Sequence, residues 1–355
     1  MGQIAGEIVG QGRRKDVTAM NRMTIEPGHE VVLKTRAGVP EQVHVFDKAG
    51  IDAVNTALAA RRPLLVRGEP GVGKSQLARA AAKQLGRAYV QFVVDSRTEA
   101  NDVMWRFDPV ARLAEAQICS HVQESPAETR KRLEVLRYVH PAAMWWAFDW
   151  NDALAQAGRV SRAGMSERSE DEEDCGSVSC APPQDDGGDP EKGCVVLIDE
   201  IDKAETDVPN GLLEAFGACR FVPLGRVEPV VMGDTPPLVV ITTNEERALP
   251  DAFVRRCMVL HLRLPADRDE LKELLVQRGA AHFKQADETV LREVARQLIE
   301  DRERERSRQL PPPGQAEYLD MVRAVIELEP DDTENQIQAL KYVGTFALGK
   351  HEQEK

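Results

Sequence analysis

The feature that most constrains the fold of this chain is a glycine-rich loop between an apolar run and an amphipathic stretch. An apolar run over residues 63–66 leads into Gly68-Glu69-Pro70-Gly71-Val72-Gly73-Lys74-Ser75, which has the spacing G-x-x-x-x-G-K-[ST]. Glycines at this spacing let backbone N–H groups turn inward around phosphate oxygens, and the helix that follows adds the positive end of its dipole. A chance glycine-rich turn would lack these flanks. The pattern predicts a phosphate-binding loop, with Lys74 on the β- and γ-phosphates and Ser75 on Mg²⁺.

Five compact apolar runs predict an α/β domain with a mainly parallel, five-stranded sheet. The runs span residues 63–66, 89–94, 195–198, 238–242 and 258–262. Such continuous runs are typical of strands that are buried on both faces, and helical stretches between several of them are typical of a parallel sheet. The three- and four-residue spacing of apolar side chains predicts one helix over residues 48–60 and another that follows the glycine-rich loop and ends at Gly86.

Two carboxylates follow the third apolar run directly. Asp199 and Glu200 come after residues 195–198, so we expect them at the carboxyl edge of the sheet, where ligands of open α/β sheets bind. Asp199 is predicted to hold Mg²⁺ through its water shell, and Glu200 to orient and polarise the attacking water. Asp202 and Lys203 are predicted to form a solvated ion pair on the following turn.

Further polar groups follow later in the chain. Asn244 ends the next buried run and could reach the γ-phosphate or the water, although an Asn after a strand is more often a turn residue. Arg255 and Arg256 follow a Leu-Pro-Asp-Ala-Phe-Val sequence. Transfer of a γ-phosphoryl group needs a stabilising cation, and an arginine finger contributes roughly 10³–10⁵ in rate. The alternative for these two arginines is an ordinary solvated surface position.

The chain divides into three predicted segments. Residues 1–45 are predicted to be a loosely ordered lead-in or short strands on the main domain, 46–264 the α/β core, and 265–355 a small all-helical lid domain. In the last segment, helices are predicted over residues 267–282, 287–306, 315–328 and 335–348.

Two stretches of the core stand out by composition. Residues 160–192 are rich in Ser, Gly, Pro and acidic side chains and are predicted to be a disordered insert. Cys175 and Cys180 lie in it without the further ligands that a zinc site needs. Trp145, Trp146 and Trp150 form an aromatic patch that more often anchors a core or an inter-subunit face than a ligand.

The bulk properties narrow the class of protein. The formal net charge of −13 disfavours a general binder of nucleic acids or anionic membranes. No run of eighteen apolar residues occurs, and the first residues do not have the pattern of a signal peptide. A cytoplasmic location is therefore expected, and the six cysteines of the chain are expected to be reduced thiols.

With these motifs in this order, the chain resembles the AAA+ ATPases, and among them the MoxR-like group. The resemblance runs from about Val45 to the C-terminal helices. The most specific motifs are Leu197-Ile198-Asp199-Glu200-Ile201-Asp202-Lys203-Ala204 and, later, Ile241-Thr242-Thr243-Asn244-Glu245-Glu246-Arg247. The second motif leads into Leu249-Pro250-Asp251-Ala252-Phe253.

The resemblance implies a P-loop αβα core with a helical lid, ATP and Mg²⁺ as ligands, and a hexameric ring. It implies that ATP is bound by Gly68, Glu69, Pro70, Gly71, Val72, Gly73, Lys74, Ser75 and Gln76 of Walker A. Asp199 and Glu200 match Walker B, and Asn244 matches sensor 1. Arg256 best matches the finger that enters the neighbour's site, with Arg255 as the alternative.

The resemblance also extends to the accessory segments. Residues 220–223 and 227–232 resemble the hairpin before sensor 1, and residues 102–114 the insert beside the second core helix. A sensor 2 arginine has no clear match, because Ala316 stands at the usual position and Arg323 lies elsewhere on a lid helix. Partners of this group are often von Willebrand A domain proteins, so such a protein client is expected.

The resemblance favours a ring-forming, chaperone-like ATPase that remodels a partner protein. A slow-turnover, ATP-switched binding module in a defence or signalling system remains the main alternative. A nucleic-acid translocase would use the same ring, but the acidic balance argues against it. A GTPase would need an Asn-Lys-x-Asp run, which is absent after Asp199. A small-molecule kinase fits poorly with Glu200 beside Asp199.

Overall fold

The computed structural model describes residues 22–35, 40–121, 125–164, 187–330 and 332–348. Its strands in chain order are β1 (Glu30–Leu33), β2 (Gln42–Val45), β3 (Leu64–Arg67), β4 (Arg87–Val93), β5 (Trp105–Phe107), β6 (Val139–Pro141), β7 (Asp189–Asp199), β8 (Arg220–Phe221), β9 (Val230–Val231), β10 (Leu238–Thr243) and β11 (Met258–His261). Its α-helices are α1 (Lys48–Ala60), α2 (Lys74–Leu85), α3 (Pro109–His121), α4 (Pro126–Arg132), α5 (Ala143–Phe148), α6 (Trp150–Gly164), α7 (Asp207–Ala218), α8 (Asp251–Val254), α9 (Arg268–His282), α10 (Glu288–Ser307), α11 (Gln315–Leu328) and α12 (Thr333–Ala347).

At the centre of the fold is a sheet of five strands in the order β11-β3-β10-β7-β4. Each neighbouring pair is parallel, which confirms the predicted sheet. Parallel neighbours need crossover connections, so helices cover both faces. In β7, Val195 and Leu197 face the core shared with α1 and α2, whereas Val196 and Ile198 face the core shared with α5, α6 and α7. The two buried faces explain why residues 195–198 of β7 are all apolar.

The strand order brings the predicted motifs to one edge of the sheet. β3, β10 and β7 lie side by side. The glycine-rich loop follows β3, Asn244 follows β10, and Glu200 follows β7. The carboxyl ends of parallel strands share one edge, so these segments converge although up to about 170 residues separate them in the chain.

A long insertion between β4 and β7 covers one face of the sheet. It contains β5, α3, α4, β6, α5 and α6. Trp145 is fully buried, and its Nε1 donates a hydrogen bond to Asp152 Oδ2 at 2.8 Å. The same carboxylate oxygen pairs with Arg226 Nη1 at 2.6 Å, in the turn of the antiparallel hairpin β8–β9. The tryptophan patch is therefore part of the core, which confirms the first of its two predicted roles.

The prediction of a disordered insert over residues 160–192 is wrong at both ends. α6 continues to Gly164, and β7 already begins at Asp189. Asp189 N donates to Gly86 O at 3.0 Å, and Asp189 lies opposite Arg87 in the parallel pair of β7 and β4. Pairing with the edge strand therefore orders the end of the insert in spite of its acidic composition. Residues 165–186, with Cys175 and Cys180, lie outside the described residues.

The C-terminal helices α9 to α12 have a hydrophobic core of their own. α11 has its predicted bounds. Asp267 and Asp287, predicted as first helical residues, instead cap α9 and α10 by accepting hydrogen bonds from N–H groups of the first turn. α12 begins two residues before its predicted start because Asp332 caps it in the same way. In the described ranges, no helix combines the length and apolar character that crossing a bilayer requires.

Residues 30–45 include an antiparallel hairpin, β1–β2, so the second of the two predicted alternatives for the lead-in is correct there. The hairpin bridges two parts of the molecule. Arg79 of α2 donates to Lys34 O at 2.7 Å. On its other side, Val43 N donates to Nε2 of His282 in α9 at 3.1 Å, and Arg278 donates to Val45 O. Residues 1–21 lie outside the described residues.

His44 of β2, in this hairpin, predicts that the protein loses stability in acid. Burial, with Arg278 and His282 nearby, lowers the pKa of His44 from 6.5 to about 3. The unfolded chain therefore takes up the proton first, and the free energy of unfolding falls as the pH falls from about 6.5 towards 3. Between pH 7 and pH 5 we expect His44 to account for a loss of about 2 kcal/mol.

Urea unfolding at the two pH values measures this loss. Carboxylates add to the slope of the wild type, so the informative quantity is its difference from His44→Gln, which should lose less stability on acidification. His29→Gln, at an exposed position, is the matched control and should keep the wild-type slope. An equal loss in wild type and His44→Gln would contradict the prediction.

Candidate nucleotide-binding site

A cavity of about 430 Å³ lies at the carboxyl edge of the sheet, within the size range of ligand pockets. Pro70, Gly71, Gly73, Lys74, Ser75 and Gln76 line one side of it. Asp199, Glu200, Thr242 and Asn244 line the sheet edge. The remaining walls come from Pro40, from Gln42 of β2, and from α9 and α11. The cavity thus lies between the core, the hairpin and the C-terminal helices α9 to α12, which we call the helical unit.

The glycine-rich loop needs its glycines for geometric reasons. Gly71 and Gly73 have φ of 75° and 92°, in the left-handed region that favours glycine. A Cβ on Gly68 would lie 2.3 Å from Leu262 O, so no larger residue fits there. The loop therefore wraps tightly against the end of β11 and leads into α2, with Gly73 as the N-cap residue.

Lys74 is buried at the start of α2. Its Nζ donates to Gly68 O at 2.7 Å, to Glu69 O at 2.9 Å and to Asn244 Oδ1 at 2.8 Å. Burial lowers the pKa of Lys74, and the nearby carboxylates, Asp199 first among them, partly oppose this shift. The ammonium group is thus held by neutral acceptors that phosphate oxygens can replace.

Ser75 and Asp199 form the part of the site that suits a divalent cation. Ser75 Oγ lies 2.9 Å from both carboxylate oxygens of Asp199. Thr242 Oγ1 donates to Asp199 Oδ1 at 2.5 Å and accepts from Glu200 N at 2.9 Å. A hydroxyl and a carboxylate are hard oxygen ligands, which Mg²⁺ prefers. The role of Thr242 was not predicted from the sequence, although a buried hydroxyl directly after four apolar residues of β10 was a signal for it.

Glu200 and Asn244 come together at the edge of β7 and β10. Glu200 has φ 62°, a left-handed conformation that is strained for a residue with a side chain. Asn244 Nδ2 lies 3.4 Å from Glu200 Oε1, and Lys203 Nζ lies 2.5 Å from Glu200 Oε2. The strained backbone turns the Glu200 carboxylate towards the cavity instead of along the strand.

The prediction that Asp202 forms a solvated ion pair with Lys203 is wrong. It is only 2% exposed, and its Oδ2 accepts hydrogen bonds from Asn244 N at 3.2 Å and Glu246 N at 2.9 Å. The short 3-10 turn Ile201–Lys203 directs Asp202 inward towards β10 and leaves Lys203 to pair with Glu200, three residues before it. Asp202 therefore holds the loop that carries Asn244.

The two predicted finger arginines do not line the cavity of their own chain. Arg255 and Arg256 are exposed at the end of α8. Arg256 Nη1 lies 3.4 Å from Leu213 O on α7. Of the loop residues, Gly68, Glu69 and Val72 do not line the cavity either; the Glu69 carboxylate turns away towards α10.

The helical unit contributes a positive group that sequence analysis could not assign. Arg323 of α11 lines the cavity, with Nη1 3.4 Å from Asp320 Oδ1 and the guanidinium 5.8 Å from the Phe283 ring centre. Ala316 lies in the first turn of α11 and packs against the loop. A Cβ on Gly71 would come within 2.9 Å of the Cβ of Ala316.

Comparison with known families agrees with this geometry. The sequence profile of the AAA domain (dynein-related subfamily) matches residues 63–278, well over half of the chain. The chain belongs to this family. The matched region begins just before β3, includes the whole parallel sheet and extends into α9. AAA+ ATPases generally use ATP and Mg²⁺ and commonly assemble as rings.

Three solved structures of RuvB mutants from Thermotoga maritima are similar to this AAA protein at low identity. The identities are 14%, 15% and 15%, and the alignments cover 86% of this chain and 71%, 70% and 73% of the RuvB chains. The TM-scores are 0.43, 0.39 and 0.40. A comparison with curated proteins found no match.

Proposed function

We propose that this chain is a MoxR-like AAA+ ATPase that hydrolyses ATP in a ring and thereby remodels or activates a partner protein. The observation that carries the proposal is the convergence of Lys74, Ser75, Asp199, Glu200 and Asn244 on one cavity. A site that only bound phosphate would not need a carboxylate held towards the cavity on strained backbone, as Glu200 is.

Each residue has a distinct part in this proposal. Lys74 exchanges its loop carbonyls for phosphate oxygens, and the loop N–H groups bind the remaining phosphate charge. Ser75 and Asp199 would hold Mg²⁺, which neutralises charge that develops on the phosphates. Glu200 accepts the proton of the attacking water, and Asn244 orients that water. Thr242 fixes the carboxylate of Asp199 for its part.

The helical unit and the hairpin extend the site. We assign the lid contact with the phosphates to Arg323, whose place in the cavity wall supports this role in a chain with Ala316 at the usual sensor 2 position. The proposal keeps the three predicted segments 1–45, 46–264 and 265–355, and the separate hydrophobic core of α9 to α12 supports the last boundary.

Assembly and partner belong to the same proposal. Arg256 is exposed and remote from its own cavity, which supports a shared site in which it reaches the nucleotide of a neighbouring protomer. We propose a homo-oligomer, a hexamer by resemblance, with a von Willebrand A domain protein or another protein as its client.

Phosphate release from MgATP tests the proposal. We expect steady turnover by the purified full chain, alone or with candidate partners, that depends on protein concentration as ring assembly requires. GTP in place of ATP is the control for base preference. The proposal fails if ATP does not bind, or if phosphate release does not exceed that of the Glu200→Gln variant at any protein concentration.

The burial of Asp202 gives a prediction for turnover. Asp202→Ala would leave the N–H groups of Asn244 and Glu246 without their acceptor, and each unmade buried bond costs about 1–3 kcal/mol. We expect kcat to fall about 10-fold or more while the Kd for MgATP changes less than 3-fold, because the loop of Asn244 moves and the phosphate loop does not. Asp207→Ala, at an exposed position of α7, is the matched control. An unchanged kcat in a folded Asp202→Ala protein would contradict this role.

A further inference from the structure

The helical unit holds a buried cation against the phosphate loop. Arg302 of α10 is 2% exposed, and its Nη2 is hydrogen-bonded to Oε2 of Glu69, the residue after Gly68. Its Nη1 donates to Pro313 O at 2.7 Å. A buried guanidinium is costly unless a carboxylate and further acceptors compensate it. Glu69 meets that need from the core domain, at a separation of 233 residues in the chain.

Two other acidic groups near Arg302 pair with arginines along α10. Asp301 Oδ1 pairs with Arg304 at 2.8 Å, and Glu305 Oε1 lies 3.7 Å from Arg308. Arg306, one turn after Arg302, lies 3.7 Å from Glu69 Oε1. Two arginines of one helix thus face a single carboxylate of the phosphate loop.

Backbone contacts reinforce the same junction. A Cβ on Gly71 would come within 2.9 Å of the Cβ of Ala316, and a Cβ on Gly314 within 3.2 Å of Pro70 O. The start of α11 therefore presses directly on the loop. At the same time the main-chain oxygen of Glu69 accepts from Lys74 Nζ at 2.9 Å. Glu69 thus contacts Arg302 through its side chain and Lys74 through its backbone.

We propose that Arg302 is a positioning residue, which acts through Glu69 to fix the phosphate loop to the lid, so that loop and lid respond to nucleotide as one unit. This inference rests on the proposed function for its consequence in ATP binding. The contact itself joins two protein groups, so it can be tested without nucleotide.

Simple electrostatics gives the opposite expectation for one variant. A carboxylate in a loop that binds phosphates repels them, so Glu69→Gln should tighten MgATP binding if charge alone mattered. If the pair with Arg302 positions the loop, Glu69→Gln should weaken binding, because the loop loses its anchor. A loop that is already fixed loses less conformational freedom when phosphate binds, so loss of the anchor is expected to weaken MgATP binding by about 10-fold.

The experiment compares the wild type with Glu69→Gln, Arg302→Lys and the double variant, all as full-length protein. Hydrogen exchange of residues 68–73 and 314–317 is measured without nucleotide, and calorimetry gives the Kd for MgATP. We expect faster exchange in both segments, about 10-fold weaker binding in either single variant, and no further loss in the double variant. Arg302→Lys keeps the charge but should not hold the loop, because a single ammonium nitrogen replaces the two nitrogens that contact Glu69 and Pro313 O separately.

The matched control is Glu273→Gln, which removes an exposed pair with Arg292 between α9 and α10 at 2.6 Å. It should leave both measurements at wild-type values. Unchanged exchange, unchanged or tighter MgATP binding in Glu69→Gln, or additive losses in the double variant would each overturn the proposal. If the wild type itself does not bind MgATP, the proposed function fails, whereas the exchange measurement still decides whether Arg302 fixes the loop.

Discussion

Replacing Glu200 with Gln is expected to stop steady-state ATP hydrolysis while ATP remains bound. Glutamine has the same shape but cannot accept the proton of the attacking water, and general base catalysis contributes roughly 10²–10⁴ in rate. The hydrogen bond from residue 200 N to Thr242 does not involve the side chain, so the strand end should keep its conformation. Lys74 and the Ser75–Asp199 pair, which serve binding in our proposal, are untouched.

Phosphate release and calorimetric binding of MgATP check this result together. Glu205→Gln is the matched control, because Glu205 is exposed and pairs only loosely with Arg247 at 3.2 Å. Lys74→Ala should fail at the earlier step and lose ATP binding. A pull-down with the ATP-bound Glu200→Gln protein, compared with Lys74→Ala, would then capture ATP-dependent partners. Wild-type turnover in Glu200→Gln would refute the role of Glu200.

Removing Arg256 is expected to reduce turnover by about 10³-fold, at the lower end of the range for arginine fingers. The side chain is exposed beside α7 and does not line the cavity of its own chain, so its effect should arise in a neighbouring protomer. The affinity of each protomer for ATP should change little. Arg255→Ala is the comparison, since it removes the adjacent charge, and a larger loss there would transfer the finger role to Arg255.

Mixing two inactive variants distinguishes a shared site from an internal one. Arg256→Ala protomers keep Glu200, and Glu200→Gln protomers keep Arg256. If the site is shared, a mixture contains interfaces with both groups, and phosphate release should rise well above either variant alone. A mixture that stays as inactive as its parts, under conditions in which the two proteins co-assemble, would contradict a finger supplied in trans.

Local signals account for most of what the sequence predicted. The phosphate loop, β10 and α11 are each specified by short-range patterns, such as glycine spacing, apolar runs and helical periodicity. Parallel pairing of β7 and β10 with β3 then places Asp199 and Asn244 at the same sheet edge as the phosphate loop. No further sequence signal is needed for this. The convergence of Lys74 with Asn244 was predictable for this reason, although they are 170 residues apart.

Contacts that depend on the exact direction of a side chain were not predictable. Asp202 was expected in solvent because adjacent opposite charges usually form surface pairs, but a single 3-10 turn directs it inward. Arg302 lies in a helix crowded with charges, and nothing in its local pattern distinguishes the one that meets Glu69. The start of β7 escaped prediction because pairing with Arg87, rather than composition, orders it.

The hairpin β1–β2 has a consequence for how this protein is divided for experiments. The matched region, residues 63–278, excludes the hairpin, α1 and the last three helices. A fragment with those limits would lack Ile51 and Val54 of α1 and Leu33 of the hairpin, which share a hydrophobic core with the sheet and α2. Its α9 would also lack the helices with which it shares a core. A fragment that keeps the residues lining the cavity and the hydrophobic cores that support them therefore begins before β1 and ends after α12, beyond both limits of the family match.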